Sequence, residues 1–233
     1  MDTELAGPVV LLKVASISAD AREVSFSSIA TNLVPNDTNG VNDIFVRDLV
    51  AGTTTRVSVT ETGAQANGNS TAPSMSPDGV LVGFASDATN LVAGDTNQAR
   101  DVFVRQLVHQ TTTRASVSSS GEQANGPSSF PSMGDGIGGG GIVAFSSEAT
   151  NLVSGDTNGI TDVFRRDTSA PRSGRAPTER WSVATDGSQA TGGTGTGQPA
   201  MVHSGQAIAF VSDAANLAPG DGFLSQDVFL RFP

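Results

Sequence analysis

The sequence predicts an all-β fold: a β-propeller of four sequence repeats, each forming a four-stranded blade. Repetition is the first reason, because a block that opens with Asn-Leu-Val and continues into Asp-(Ile/Val)-Phe starts at residues 32, 90 and 151, and a degraded copy starts at residue 216. A fixed period of this length is typical of radially repeated β architectures. The second reason is that no stretch shows the periodicity of a long amphipathic helix, while short β-branched and aromatic runs recur between turn residues.

Phenylalanine marks the second and the third predicted strand of every unit. The second strands carry Phe26, Phe84, Phe145 and Phe210, which are spaced by 58, 61 and 65 residues. The third strands carry Phe45, Phe103, Phe164 and Phe229. One large side chain per strand fills the space between stacked sheets, and the continuous apolar runs indicate sheets that are covered on both faces.

The second unit shows the four strand signals in order. They fall on residues 73–75, 80–84, 101–105 and 112–117. Each is rich in β-branched or aromatic residues and is bounded by Gly, Pro, Asn or Asp, which is the pattern of strands joined by turns. A Ser-Pro-Asp-Gly turn at residues 76–79 separates the first two signals.

That turn and the Asp-Val-Phe-Val-Arg strand that follows resemble the WD40-like repeats of TolB-type propellers, a bacterial family. The resemblance covers about residues 14 to 231 and is closest in the first two units. The turn is altered at residues 18–21 and absent at 202–205. The Asn-Leu-Val…Asp-Thr-Asn insert is not part of the ordinary TolB repeat, so the resemblance implies the fold and not the partners of TolB.

The chain is long enough for a single domain over residues 1–233. The repeats are expected at about 14–73, 74–131, 132–199 and 200–233. The last repeat stops after its third strand signal. Residues 8–13 could supply the missing strand, yet they run into the first unit without the long loop seen elsewhere. Three alternatives remain: the chain forms a ring of four blades, it is part of a larger ring, or an oligomer completes the ring.

Composition limits the classes of partner. The net charge is −10 with a pI of about 4.4, which argues against nucleic acid and anionic membrane surfaces. There is no cysteine, hence no disulfide or thiolate site, and no apolar stretch predicts membrane insertion. The first residues do not resemble a signal peptide. The composition suits an exported bacterial protein, with an extracellular, cell-surface or periplasmic location.

Two kinds of long polar loop are expected on the same side of the propeller. One is the Asn/Asp block between the second and third strands. The other is a Gly-Ala-Gln-Ala-Asn-Gly type segment after the fourth strand, at residues 63–68, 121–126 and 187–192. We call this side the long-loop face. Loops on a rigid scaffold often carry binding residues, so an unidentified protein or glycan partner is expected there.

The spacing Asp-x-Asn-x-x-x-Asp recurs in three of these loops and predicts a metal site. Its members are Asp37, Asn39, Asp43, Asp95, Asn97, Asp101, Asp156, Asn158 and Asp162. Calcium prefers oxygen ligands at such spacings, and the acidic balance of the chain suits a cation. The alternative is structural, since Asp-Thr-Asn-Gly is an ordinary Asx-turn sequence and the last Asp stands at a strand entry.

Other recurring polar residues predict structure rather than chemistry. The repeated asparagines (Asn32, Asn90, Asn151, Asn216) are expected to satisfy backbone groups of the loops. The repeated arginines of the third and fourth strands are expected to be solvated and to pair with Asp. The two histidines are not equivalent, and no spacing indicates a catalytic triad.

The function that these patterns favour is a non-enzymatic binding or interaction module, with calcium dependence as part of the prediction. A secreted carbohydrate-active propeller enzyme is one alternative, because carboxylates of different blades could meet across the ring. A structural repeat of a larger cell-surface protein is the other. The regularity of the Asp residues favours a structural or metal role over catalysis.

Overall fold

The structure, a computed structural model, describes residues 15–135, 141–169, 177–193, 197–219 and 226–233. Within these residues every regular element is a β-strand and no helix is present, as the sequence predicts. No described segment forms an apolar helix that could cross a membrane. The strands form four antiparallel sheets that follow one another along the chain.

The first three sheets are four-stranded blades. Blade 1 consists of β1 (Ala15–Ile17), β2 (Glu23–Ser28), β3 (Asp43–Asp48) and β4 (Thr53–Arg56). Blade 2 consists of β5 (Ser70–Met75), β6 (Leu81–Ser86), β7 (Asp101–Gln106) and β8 (Thr111–Arg114). Blade 3 consists of β9 (Ser128–Met133), β10 (Ile142–Ser147), β11 (Asp162–Asp167) and β12 (Thr178–Arg180). In the described residues, blade 4 has three strands: β13 (Ala200–Met201), β14 (Ile208–Ser212) and β15 (Asp227–Arg231).

Each blade is a meander, because consecutive strands are hydrogen-bonded neighbours. The phenylalanines of the second and third strands pair in register, as Phe26 with Phe45 and their equivalents do, and their rings stack at 5.8–5.9 Å. The first strands of neighbouring blades lie side by side. The backbone N–H of Met75 in β5 donates to Ser16 Oγ of β1 at 3.0 Å, which places these strands innermost.

Each pair of neighbouring blades encloses an apolar core. Between blades 1 and 2, Ile44 and Val46 of β3 pack in one cluster with Phe84 and Leu91. Equivalent clusters lie between blades 2 and 3 and between blades 3 and 4. Each blade thus gives alternate residues of its strands to the two cores beside it, which explains the continuous apolar runs.

The row of blades ends in two uncovered faces. Phe26 of blade 1 is partly exposed, whereas its equivalent Phe84 is 0% exposed. At the other end, Val228 and Leu230 of β15 are 75% and 59% exposed. The described residues therefore do not form a closed ring of four blades. Residues 8–13, the predicted candidate for the missing strand, lie outside the described residues.

The predicted start of the first strand in blade 2 is wrong. β5 begins at Ser70, before the expected segment 73–75. The pairing with β6 shifts register between Thr71 and Ser74, and Ala72 has a positive φ of 51°. Such a bulge breaks the strand pattern locally, so the sequence showed only the residues that follow it.

The predicted end of the fourth strand in blade 2 is also wrong. β8 ends at Arg114, although the strand signal continues to residue 117. Ser116 turns its hydroxyl inward to Asp101 at 2.5 Å. Val117 then pairs with Gln123 as an isolated bridge. The strand thus ends just before Ser116, whose side chain binds Asp101.

Candidate functional site on the long-loop face

The three predicted Asp-Asn-Asp sets are each brought together around an arginine. In blade 1, the Asp43 carboxylate is fully buried and accepts from Ser58 Oγ at 2.5 Å and from Asn39 Nδ2 at 2.8 Å. Arg56 Nη1 lies 3.4 Å from Asp43 Oδ2 and 3.6 Å from Asp37 Oδ1. The arginine therefore neutralises both carboxylates of the loop.

Blades 2 and 3 repeat this cluster. Asp101 accepts from Ser116 and Asn97, and Asp162 accepts from Ser182 and Asn158. Arg114 and Arg180 take the place of Arg56, each contacting both aspartates of its blade. In three blades the cluster joins the Asn/Asp loop to the fourth strand. This contact supports the structural interpretation of the Asp-Asn-Asp residues.

Sequence reasoning missed the arginine and the serine of each cluster. The fourth-strand arginines were expected to be solvated, and this is wrong: the side chains of Arg56 and Arg114 are only 7% exposed and that of Arg180 10%. Their expected pairing with Asp is confirmed. The signal was available as the Arg-x-Ser spacing that recurs at residues 56–58, 114–116 and 180–182.

In blades 2 to 4, the arginine that stands two positions after the third-strand phenylalanine also points inward. Arg105 Nη1 donates to the backbone carbonyl of Thr60 in the preceding blade at 3.3 Å. Arg166 and Arg231 reach carbonyls of the preceding blades in the same way. The expectation of solvated side chains is wrong for these three arginines, because each guanidinium bridges two blades, whereas Arg47 donates to Thr54 within its own blade.

Calcium binding at the nine residues stays a prediction. In the described residues, no group of three or more Asp, Glu, His or Cys side chains is arranged to hold a metal ion. The guanidinium of each cluster is a resident cation, with which a calcium ion would compete for the same carboxylate oxygens. In blade 2, however, both oxygens of Asp95 are buried and accept no hydrogen bond.

Burial raises the pKa of several aspartates in these clusters. It is the largest cause that raises the pKa of Asp43, Asp95, Asp101 and Asp156 above the ordinary value of 3.8. The nearby arginine opposes this in every case. Exposed turn aspartates behave differently: backbone N–H groups of Ala51 and Val50 lower the pKa of Asp48.

These opposite shifts give a pH prediction of definite sign. A buried carboxyl with a raised pKa costs stability while it is ionised, and the cost is relieved as the pH falls through that pKa. We therefore expect the melting temperature of the wild type, relative to the Asp95→Asn variant, to rise between about pH 7 and about pH 4. Asp48→Asn is the control: its stabilising contribution is constant in that range and is lost only below about pH 4. Parallel pH profiles for all three proteins would contradict the prediction.

The two long loops share one face, as predicted. Asn39 Nδ2 donates to the backbone carbonyl of Ala66 at 3.0 Å, so the Asn/Asp loop contacts the loop after β4. Gln65 holds the same loop: its Nε2 donates to the carbonyl of Asn36 at 2.9 Å and to Thr38 Oγ1 at 3.0 Å. These side chains therefore fix the two loops to each other.

The repeated asparagines join successive blades. Asn90 Nδ2 donates to the Gln65 carbonyl at 2.8 Å, and Asn90 Oδ1 accepts from the backbone N–H of Asn67 at 3.0 Å. Asn151 and Asn216 make the equivalent pair of bonds. The prediction that these asparagines satisfy backbone groups is confirmed for three of the four. Asn32 makes no such bond to a described residue.

This difference provides a matched pair of variants. Asn90→Ala leaves a carbonyl and an N–H without their partners at the joint of blades 1 and 2, and we expect it to lower the free energy of unfolding by about 0.5–1.5 kcal/mol. Asn32→Ala should change it by less than about 0.5 kcal/mol. Urea unfolding followed by circular dichroism measures both. Equal losses would show that Asn32 also has a structural partner.

Blade 2 and blade 3 differ near the start of their first strands, on the same face. In blade 2, Arg100 forms a two-point ion pair with Asp87, with both N–O distances 2.8 Å, and donates to Thr71 Oγ1 at 2.9 Å. In blade 3, Ser129 stands in place of Thr71, Phe130 in place of Ala72, Glu148 in place of Asp87 and Thr161 in place of Arg100. These four residues of blade 3 line an open cavity of about 240 Å³. The cavity of blade 3 thus departs from the repeat, and the internal hydrogen bonds that fix the loops of this face do not explain it.

No protein-family model matches this chain, and no curated protein matches it. Among solved structures, it is similar to a TolB protein from Agrobacterium tumefaciens, with 16% identity, a TM-score of 0.52, and coverage of 94% of this chain and 65% of that one. Prolyl endopeptidases match with 10% identity, a TM-score of 0.51, and coverage of 94% and 28%. TolB from Acinetobacter baumannii matches with 19% identity, a TM-score of 0.48, and coverage of 93% and 39%.

Similarity at these identities shows the fold alone. The similarity to the Agrobacterium structure and the meander blades give the chain a TolB-like β-propeller fold, which confirms the fold that the turn and strand motifs implied. It spans 39% and 65% of the length of the two TolB structures. Propellers with different activities are among the similar structures, so the fold itself does not select a function.

Proposed function

We propose that the chain is a non-enzymatic binding module that recognises a protein or glycan partner through its long-loop face. One observation carries the proposal: the recurring polar side chains of that face are consumed by internal hydrogen bonds. They make the loops rigid, and a rigid surface binds with a small entropic cost. Residues used in this way are not available as acids, bases or nucleophiles.

The loop tips offer a defined surface for such a partner. Pro35, Ala93 and Ser154 occupy equivalent exposed positions in the loops of blades 1, 2 and 3. The opposite face presents short hairpins, on which Val50 and Val108 are 68% and 70% exposed. The two faces can therefore be blocked separately by substitutions at solvent-exposed positions, with little effect on the fold.

Binding can be screened on a glycan array and on an array of extended peptides, with hits quantified by biolayer interferometry. We expect the Pro35→Arg/Ala93→Arg/Ser154→Arg variant to weaken binding at least about tenfold, a loss of about 1.4 kcal/mol. The Val50→Arg/Val108→Arg variant is the matched control and should bind as the wild type does. Absence of any hit, or an equal loss in both variants, would contradict the proposal.

Two arms of the same screen address the other predictions. Loss of binding or of thermal stability in EDTA, restored by Ca²⁺, would support calcium dependence through the Asp-Asn-Asp loops. Turnover of a bound glycan would support the carbohydrate-active alternative instead of the binding module. Export from a bacterial cell stays a prediction and is checked by fractionating cells that express the full-length gene.

A further inference from the structure

We propose that the blade 3 cavity lined by Ser129, Phe130, Glu148 and Thr161 binds the guanidinium group of an arginine on a partner protein. This inference rests on the proposed binding function and names the chemistry of one contact. The equivalent position of blade 2 holds the guanidinium of Arg100, so the chain itself shows that this group fits there.

In blade 2 the position is filled from within. The Arg100 guanidinium engages Asp87 through Nε and Nη2 and uses Nη1 for Thr71 Oγ1, so both a carboxylate and a hydroxyl receive its donors. Arg100 lies directly before β7, and its backbone carbonyl accepts from Ser128 N–H of blade 3 at 2.8 Å. Two-point pairing of this kind is specific for the planar guanidinium.

Blade 3 keeps the acceptors and lacks the donor. Glu148 stands in place of Asp87 and Ser129 in place of Thr71, so the carboxylate and the hydroxyl are both retained. Thr161 stands in place of Arg100, which removes the internal cation. The Glu148 side chain is exposed, and no ion pair joins it to a described residue. The space of the arginine side chain is the cavity of about 240 Å³.

Phe130 gives the blade 3 cavity an aromatic ring, which the equivalent position of blade 2 lacks. It replaces Ala72, both residues have a positive φ, 56° and 51°, and the Phe130 side chain is 39% exposed. The backbone of the bulge is thus the same in both blades, and blade 3 uses it to present an aromatic ring beside a carboxylate. Arginine stacks on aromatic faces and pairs with carboxylates, so the two groups together favour a guanidinium over an ammonium.

Blade 1 does not offer this combination. In blade 1 the positions of Glu148 and Thr161 are occupied by Ile29 and Asn42, so the carboxylate is absent. An acidic protein with a net charge of −10 also attracts basic partners over longer distances. The site is therefore expected once in blades 1 to 3, at a defined place on the long-loop face.

The test uses the intact chain and a small probe, N-acetyl-arginine amide, followed by NMR chemical-shift titration. We expect shifts centred on residues 128–131 and 146–148, with N-acetyl-lysine amide binding several-fold more weakly. Glu148→Gln and Phe130→Ala should each weaken arginine binding at least about fivefold. Phe130→Ala recreates the residue of blade 2, so a folding defect is not expected. Glu122→Gln removes an exposed carboxylate elsewhere and is the control.

A gain-of-contact variant separates the proposal from a merely structural role. Thr161→Arg recreates the blade 2 arrangement, so we expect it to abolish probe binding and to raise the melting temperature by about 1–3 °C. Adding Glu148→Gln should cancel that rise. Absence of saturable shifts at about 10 mM probe, or equal binding of arginine and lysine probes, would overturn the inference. Array hits that survive Thr161→Arg would overturn it while leaving the binding module intact.

Discussion

Replacing Asp101 by alanine is expected to lower the free energy of unfolding by about 3–5 kcal/mol, because it removes one of the two carboxylates that neutralise a buried arginine and the acceptor of two further side chains. Asp101 is 0% exposed, and Arg114, whose side chain is 7% exposed, contacts it at 3.6 Å. The Ser116 hydroxyl and the Asn97 amide would lose their acceptor in the same step. Several buried donors would thus be unsatisfied at once.

Asp87→Ala is the matched control for this variant. It also removes a carboxylate from an arginine of blade 2, yet the Asp87 side chain is 45% exposed and Arg100 can turn to solvent. We expect a loss of no more than about 1 kcal/mol. Urea unfolding monitored by circular dichroism measures both variants. Similar losses would mean that the buried cluster contributes no more than a surface pair.

Repeat reasoning predicted the architecture well, for a physical reason. The spacing of Phe26, Phe84, Phe145 and Phe210 reports the same position in each blade, which is buried in blades 2 to 4, and buried positions tolerate few side chains. The blade order and the shared face of the two long loops followed from strand connectivity alone. These features depend on local patterns that a sequence displays directly.

The candidate site was less predictable because burial of an outer strand depends on the loops that cover it. Thr53 to Arg56 alternates between exposed and partly buried residues, which is the pattern of a solvated edge. Asp37 comes from a loop that folds over this strand, and together with Asp43 it makes Arg56 an interior cation. The spacing of Asp37 and Asp43 alone could not distinguish a guanidinium from a metal ion.

The blade 3 cavity illustrates a second limit. The replacement of Arg100 by Thr161 and of Ala72 by Phe130 is visible when the repeats are aligned. What the alignment does not show is that the two positions, separated along the chain, line one space. A bulge with positive φ brings them together, and the strand pattern gave no sign of that bulge.

The second large effect is expected for the stacked phenylalanines. Phe84→Ala should lower the free energy of unfolding by about 3–5 kcal/mol, since Phe84 is 0% exposed in the core between blades 1 and 2 and stacks on Phe103 at 5.9 Å. Phe26 holds the same position in blade 1 and stacks on Phe45 at 5.8 Å, yet it is partly exposed. The loss for Phe26→Ala should be about half as large, because less apolar surface leaves the interior.

The comparison of these two variants also tests whether the uncovered face of blade 1 stays uncovered in solution. Phe84 packs against the blade that precedes it, whereas no described blade precedes Phe26. Equal losses for Phe26→Ala and Phe84→Ala would therefore contradict the prediction and mean that another surface covers Phe26. Sedimentation velocity distinguishes the source: a dimer that Phe26→Ala dissociates would identify a second copy of the chain, which completes the ring by packing its exposed Val228 and Leu230 against blade 1.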